Sequence, residues 1–195
     1  MSPAGMWGIM SITLTKAKAI KGWMGDTELS WLATQAATHH RIVEVGCWLG
    51  RSTRALADNT PGQVIAVDHW EGPSDPKIKA ECGWQEGDWE RFVENCDDLI
   101  KRAKVIPFRL PSLEAAELFH RTERVVDMVF IDADHDYKNV YQDICAWWPL
   151  VEKGGLLAGH DYSLEWPGVV SAVDEVIGAA KRQRGPGSIW YWEVE

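Results

Sequence analysis

The chain has 195 residues, of which 46% are hydrophobic and 25% charged, the balance of one globular domain and not of a disordered or fibrous chain. Against 29 Asp and Glu stand 20 Lys and Arg, a formal charge of −9 that repels phosphate backbones and anionic lipid, so neither nucleic acid nor membrane is an expected partner. The one basic cluster, Lys101, Arg102 and Lys104, reads as a solvated helix end.

Residues 1–25 are rich in Gly and Met and show no period, so they read as an arm or lid ahead of a single domain over 26–195. Trp7, Met10 and Trp23 in that arm suit a lid or a homodimer contact. No charged-then-apolar leader is visible, and no apolar run approaches the ~18 residues of a membrane span, which makes the cytoplasm the expected location. Cys47, Cys82, Cys96 and Cys145 form no C-x-x-C pair, which argues against zinc and against a disulfide framework.

Asp26 or Thr27 is expected to cap a first helix with Leu29, Leu32, Ala33 and Ala36 on one face. From residue 41, short apolar runs alternate with helical patterns. The runs are RIVEV (41–45), QVIAV (63–67), KVIPF (104–108), VVDMVFI (125–131) and GGLLAGH (154–160). Helical patterns lie near 51–58, 88–101, 112–120 and 137–148, and a further helix starts at Pro167. Runs that are apolar throughout suit strands buried on both faces of a parallel sheet, and the alternation predicts a doubly wound α/β fold with helices on both faces. SIWYWEV (188–194) closes the chain as a strand.

The first strand runs into VEVGCWLGRST (43–53). Gly46 and Gly50 permit a sharp turn and close approach to a ligand, or serve the turn alone. The pattern is G-x-x-x-G, not the G-x-G-x-x-G that cradles a pyrophosphate. Glu44, just before the turn, suits a cationic ligand and opposes a diphosphate. Asp68, at the end of the second strand, is placed to accept from both ribose hydroxyls. Together these features point to S-adenosylmethionine, which carries a sulfonium and an amino group and no phosphate.

VEVGCWLGRST, VIAVDHWEG (64–72), VFIDADHDYKNVYQDI (129–144) and GGLLAGHDY (154–162) resemble, in that order, the class I S-adenosylmethionine-dependent methyltransferases. The resemblance is strongest to the small branch of catechol, caffeoyl-CoA and macrolide-sugar O-methyltransferases. It implies a Rossmann-like, mostly parallel sheet with an antiparallel C-terminal strand. The hairpin that usually ends such sheets has only SIWYWEV here, so its first strand is very short or absent. The resemblance further implies that Glu44, Gly46, Cys47, Trp48, Gly50 and Ser52 surround the methionine end of the cofactor. Asp68 and His69 would meet the ribose, Ser112 the adenine, and Asp132 the reacting centre.

Asp132, Asp134 and Asp136 follow the fourth strand and Asp161 the fifth. Carboxylates converging on one edge repel, which favours raised pKa values or a hard cation such as Mg²⁺; helix capping, for Asp136 above all, accounts for part of the same density. In the resembling enzymes, Asp132 and Asp161 match metal ligands. Their third ligand, an Asn, is replaced by Tyr162, a poor Mg²⁺ ligand. The third position then falls to Asp134 or water, or the site holds no ion. His135 matches the catalytic Lys, and an imidazole can take a hydroxyl proton near neutral pH. The implied reaction is in-line methyl transfer to a small-molecule hydroxyl, with Asp132 and Asp161 beside His135. His160 is a partner of these groups or an alternative base. With Tyr162, Trp70, Trp84 and Trp166 it is also a candidate acceptor contact, and the long 69–87 segment reads as a lid. The Trp side chains would equally serve to pack that segment down. Two rivals stand beside this reading: a nicotinamide-dependent oxidoreductase, and a non-catalytic S-adenosylmethionine-binding domain.

Overall fold

The computed structural model describes residues 11–73, 79 and 83–195. Trp7, Met10, Cys82 and part of the 69–87 segment lie outside them. At the centre is β1 (Arg41–Val45), paired in parallel with β2 (Gln63–Asp68) on one side and β4 (Val126–Ile131) on the other. Outward from β2 lies β3 (Val105–Arg109), and outward from β4 lie β5 (Val151–Gly159), β7 (Trp190–Glu193) and β6 (Gln183–Arg184). The first five strands are parallel; β7 is antiparallel to β5 and to β6. The hairpin's first strand is thus two residues long, the very short strand that the sequence suggested.

Strand alternation sends side chains into two cores, which explains the continuously apolar runs. Val43, Val45, Val129, Ile131 and Leu157 face α5 (Ser112–Arg121), α6 (Tyr137–Trp147) and α7 (Pro167–Val176), meeting Phe119, Ile144, Trp147 and Val173. Ile42, Val64, Met128, Phe130 and Leu156 face the opposite core, built with Leu29 and Leu32 of α2 (Asp26–Ala36), Leu56 of α3 (Arg51–Ala57) and Phe92 and Leu99 of α4 (Asp88–Lys101). Each such side chain contributes about 1.5–3 kcal/mol of burial.

Helix starts differ in detail from expectation. The cap of α2 is Gly25, not Asp26 or Thr27; Glu28 Oε2 reaches back to accept from the Gly25 amide at 2.7 Å, satisfying a donor that a polar cap would not have reached. Asp136 caps α6, accepting from the Asn139 amide at 3.1 Å. The N-terminal segment carries α1 (Thr15–Ala19) and is tied down by Arg51, whose guanidinium donates to the carbonyls of Lys18 and Ile20 at 3.1 and 2.7 Å. Lys101 and Arg102 pair with Asp97 and Asp98 on their own helix. No helix among the described residues is long and apolar enough to cross a membrane.

Candidate active site

The chain winds outward from β1 to β3, then returns to β4, so a crevice opens at the carboxyl ends of β1 and β4. There lies a cavity of about 1290 Å³. Gly46, with φ of 86°, turns the chain out of β1, and a Cβ there would collide with the carbonyl oxygen of Asp132. Gly50 also has positive φ, but its closeness is to helix α4: a Cβ would lie 2.8 Å from Cys96 Sγ and 3.1 Å from Phe92. Of the two glycines, Gly46 lines the cavity and Gly50 seats a helix.

Asp68 ties the turn together. Its Oδ2 accepts from the amides of Cys47 and Trp48, both at 2.9 Å, and its Oδ1 from the amide of Trp70 at 2.7 Å. His69 beside it lines the cavity and accepts, at Nδ1, from the Glu71 amide at 2.9 Å. Glu44 lies one layer down on the α3 side: Thr53 Oγ1 donates to its Oε2 at 2.5 Å, while Oε1 is buried with no hydrogen-bond partner among the described residues. Burial pushes its pKa up to about 7, against the nearby Ser52 and Thr53 hydroxyls and with help from the Asp132 charge. Ser52 separates it from the cavity, which Ser52 lines. At the far end, Ser112 lines the wall, donates to Asp143 Oδ1 at 2.5 Å and accepts from Trp147 Nε1 at 2.9 Å.

Five titratable groups meet at the other end. His135 Nε2 lies 2.9 Å from Asp161 Oδ2. His160 Nδ1 lies 3.1 Å from Asp161 Oδ1 and 3.6 Å from Asp132 Oδ1, while its Nε2 lies 2.9 Å from Glu28 Oε1. Burial raises Asp132, to about 6. Burial also disfavours the charged forms of Asp161 and His135, but their mutual hydrogen bond prevails, holding Asp161 well below the usual carboxylate range and His135 above its ordinary value. The His135 ring stacks on Trp166, with centroids 4.0 Å apart and planes 17° apart.

The remaining candidates have partners of their own. Asp134 serves the start of α6, accepting from the amides of His135 and Asp136 and from Asn139 Nδ2. Tyr162 is buried, its hydroxyl on Asp174 at 2.9 Å and its ring beneath Arg182. Trp70 is core, packed on Trp89 and Phe92, with its Nε1 donating to the Trp48 carbonyl. Trp84 covers Gly72 at the cavity edge.

Ligand atoms of Asp132, His160 and Asp161 lie within 4.8 Å of one another, a spacing that a metal ion could span. Mg²⁺ wants octahedral oxygen ligands, and the set fits it poorly. The third donor is an imidazole nitrogen already facing two carboxylates, Asp161 uses both oxygens on histidines, Asp134 has its oxygens engaged at the start of α6, and Tyr162 is buried on Asp174. Sequence reasoning passed over Glu28 and Ser188, which reach His160 from distant parts of the chain and carry no local signal. It also gave no role to Lys21 and Met24, which line the cavity with Trp23.

A family model described as a methyltransferase domain matches residues 43–162. An uncharacterized protein of Acanthamoeba polyphaga mimivirus is 37% identical over 71 residues, which is 35% of this chain and 31% of that protein. The chain thus spans about a third of the length of that curated relative. Among solved structures, the calicheamicin methyltransferase CalS11 aligns with a TM-score of 0.63 at 17% identity, over 85% of this chain and 76% of its own. An O-methyltransferase from Bacillus cereus in complex with S-adenosylhomocysteine aligns at 0.66 and 16% identity, over 91% and 86%. At these identities the likeness is one of fold.

Proposed function

The chain belongs to the methyltransferase-domain family of class I, S-adenosylmethionine-dependent proteins, and on that premise we propose that it methylates a hydroxyl group of a small molecule. The nicotinamide reading falls away with the family. The observation that carries the proposal is the His135–Asp161 pair: Nε2 is committed to an ionised carboxylate, so Nδ1 keeps its lone pair for an acceptor proton. A domain that only bound the cofactor would have no use for this pair.

In this reading the cofactor lies along the crevice. Asp68, with His69 beside it, accepts from the ribose, and Ser112 lies against the adenine. The methionine end rests on the turn from Gly46 to Trp48 and on Ser52, with Glu44 beneath supplying negative charge toward its ammonium. Asp132 faces the sulfonium. The acceptor oxygen attacks the methyl carbon, the C–S bond breaks with its electron pair going to sulfur, and the hydroxyl proton passes to His135 Nδ1. Asp161 stabilises the imidazolium that forms. Holding acceptor and cofactor in line supplies much of the rate, since oriented reactants gain about 7–11 kcal/mol over free encounter. A cavity of about 1290 Å³ leaves room for an acceptor beside the cofactor, with Trp84 and Trp166 as its flat walls. Of the arm expected over 1–25, the described residues 11–25 border this cavity in the same reading, supported by Lys21, Trp23 and Met24 in its wall and by Trp23 stacking 4.4 Å from Trp48.

The test is calorimetric titration of S-adenosylhomocysteine, followed by a screen of hydroxylated acceptors with labelled S-adenosylmethionine. One-site binding and label transfer to oxygen are expected. No binding by folded protein would remove the proposal.

A further inference from the structure

We infer that the His160 imidazolium is a built-in cation seated between Asp132 and Asp161, and that methyl transfer by this chain requires no divalent metal ion. The inference rests on reading the crevice as a methyl-transfer site.

A neutral imidazole has one N–H and one lone pair. His160 presents both nitrogens to carboxylates: Nε2 to Glu28 at 2.9 Å, Nδ1 to Asp161 at 3.1 Å and to Asp132 at 3.6 Å. A lone pair aimed at an ionised carboxylate would be repelled, so both nitrogens carry hydrogen and the ring is charged. The groups that face it come from four parts of the fold: Glu28 from α2, Asp132 after β4, Asp161 after β5, and Ser188 before β7, whose Oγ lies 3.1 Å from Nε2.

The Glu28 side of the contact is built. One carboxylate oxygen accepts from the Gly25 amide at 2.7 Å, and the other accepts from the Ser188 amide at 3.1 Å as well as facing His160. Gly187, with positive φ, leaves room for it: a Cβ there would collide with the Glu28 side chain. His160 and Glu28 expose only 10% and 11% of their side chains, so water screens the pair little.

The seated charge does two things an ion would do. It offsets the repulsion between Asp132 and Asp161, and it fixes Asp161 Oδ1 so that Oδ2 faces His135. It cannot coordinate an acceptor oxygen, so deprotonation falls to His135 alone. An ion entering here would have to expel the proton on Nδ1.

The protein is stripped with EDTA and titrated calorimetrically with Mg²⁺, Mn²⁺ and Zn²⁺ in turn, both ligand-free and saturated with S-adenosylhomocysteine. The expected result is no one-site binding of any ion tighter than about 1 mM. In His160→Asp, which places a third carboxylate at the cluster, Mg²⁺ binding tightened by about tenfold or more is expected. One equivalent of any ion bound by the unaltered protein, and lost in Asp132→Asn, overturns the inference. Nitrogen NMR reads the protonation of the unaltered protein directly. The His160 ring, assigned by its loss in His160→Gln, should carry protons on both nitrogens at pH 8; a neutral ring there overturns the inference. Failure to bind S-adenosylhomocysteine strikes the methyl-transfer reading instead, and the ligand-free ion titration still reports on His160.

Discussion

Gly46 and Asp132 meet backbone to backbone: the turn out of β1 presses on the carbonyl of the residue that follows β4, and the Asp132 amide donates to the Val45 carbonyl at 2.8 Å. The glycine turn and the acidic end of the crevice are therefore positioned by one another. Gly46→Ala combines an unfavourable positive φ with this collision. A loss of about 2–4 kcal/mol in urea unfolding is expected, with weaker S-adenosylhomocysteine binding. Unchanged stability would show that the two strand ends are not packed this way.

His135→Ala is expected to lower turnover by about 10²–10⁴-fold while leaving S-adenosylhomocysteine affinity within about twofold. A base acts only when deprotonated, and Asp161 holds the His135 pKa above its ordinary value. The acid limb of kcat/KM should therefore lie above the ordinary histidine value of about 6.5. Asp161→Asn removes the carboxylate that raises it, so the limb should move to lower pH. A limb that stays in place separates Asp161 from the base.

Glu44 is buried, and its folded pKa of about 7 lies above the ordinary value of 4.5. A carboxyl raised in the folded state contributes stability when protonated, fully below pH 4.5, and loses that contribution as pH rises to about 7. Glu44→Gln keeps the shape without the charge. The ligand-free variant should match the parent at pH 4 and exceed it by about 2–3 kcal/mol at pH 8, while binding S-adenosylhomocysteine less tightly. Equal stability at both pH values would mean that the Glu44 charge is not confined.

Trp166 stacks flat on the His135 ring, and such contacts contribute about 0.5–1.5 kcal/mol. Trp166→Ala should therefore lower kcat by up to about tenfold, and Trp166→Phe should restore most of it. A change confined to KM would assign Trp166 to the acceptor instead.

Much of the fold was legible because its determinants are local. The mainly apolar runs at 41–45, 63–67 and 125–131 became β1, β2 and β4 since a strand covered on both faces is apolar at most positions, and Pro167 opened α7 because its φ and missing amide suit a first turn. The α2 cap was misread because the expected polar side chain gave way to Glu28, three residues inside the helix, reaching back to Gly25. Gly46 and Gly50 look alike in sequence, yet one borders the cavity and the other a helix, a difference that lies in what packs against them.

The sequence by itself thus determined the strand–helix alternation, the short terminal hairpin, the glycine turn and the family, all of which rest on residues within a few positions of one another. Tertiary structure alone decided that Trp70 packs in the core, that Asp134 is engaged at the start of α6, that Tyr162 is buried on Asp174, and that Glu28 meets His160 across 132 positions of chain. Charge pairing across such separations depends on which helix lies over which strand end. No nearest-neighbour preference encodes that, and burial then makes the pairing strong enough to set the protonation of the whole cluster.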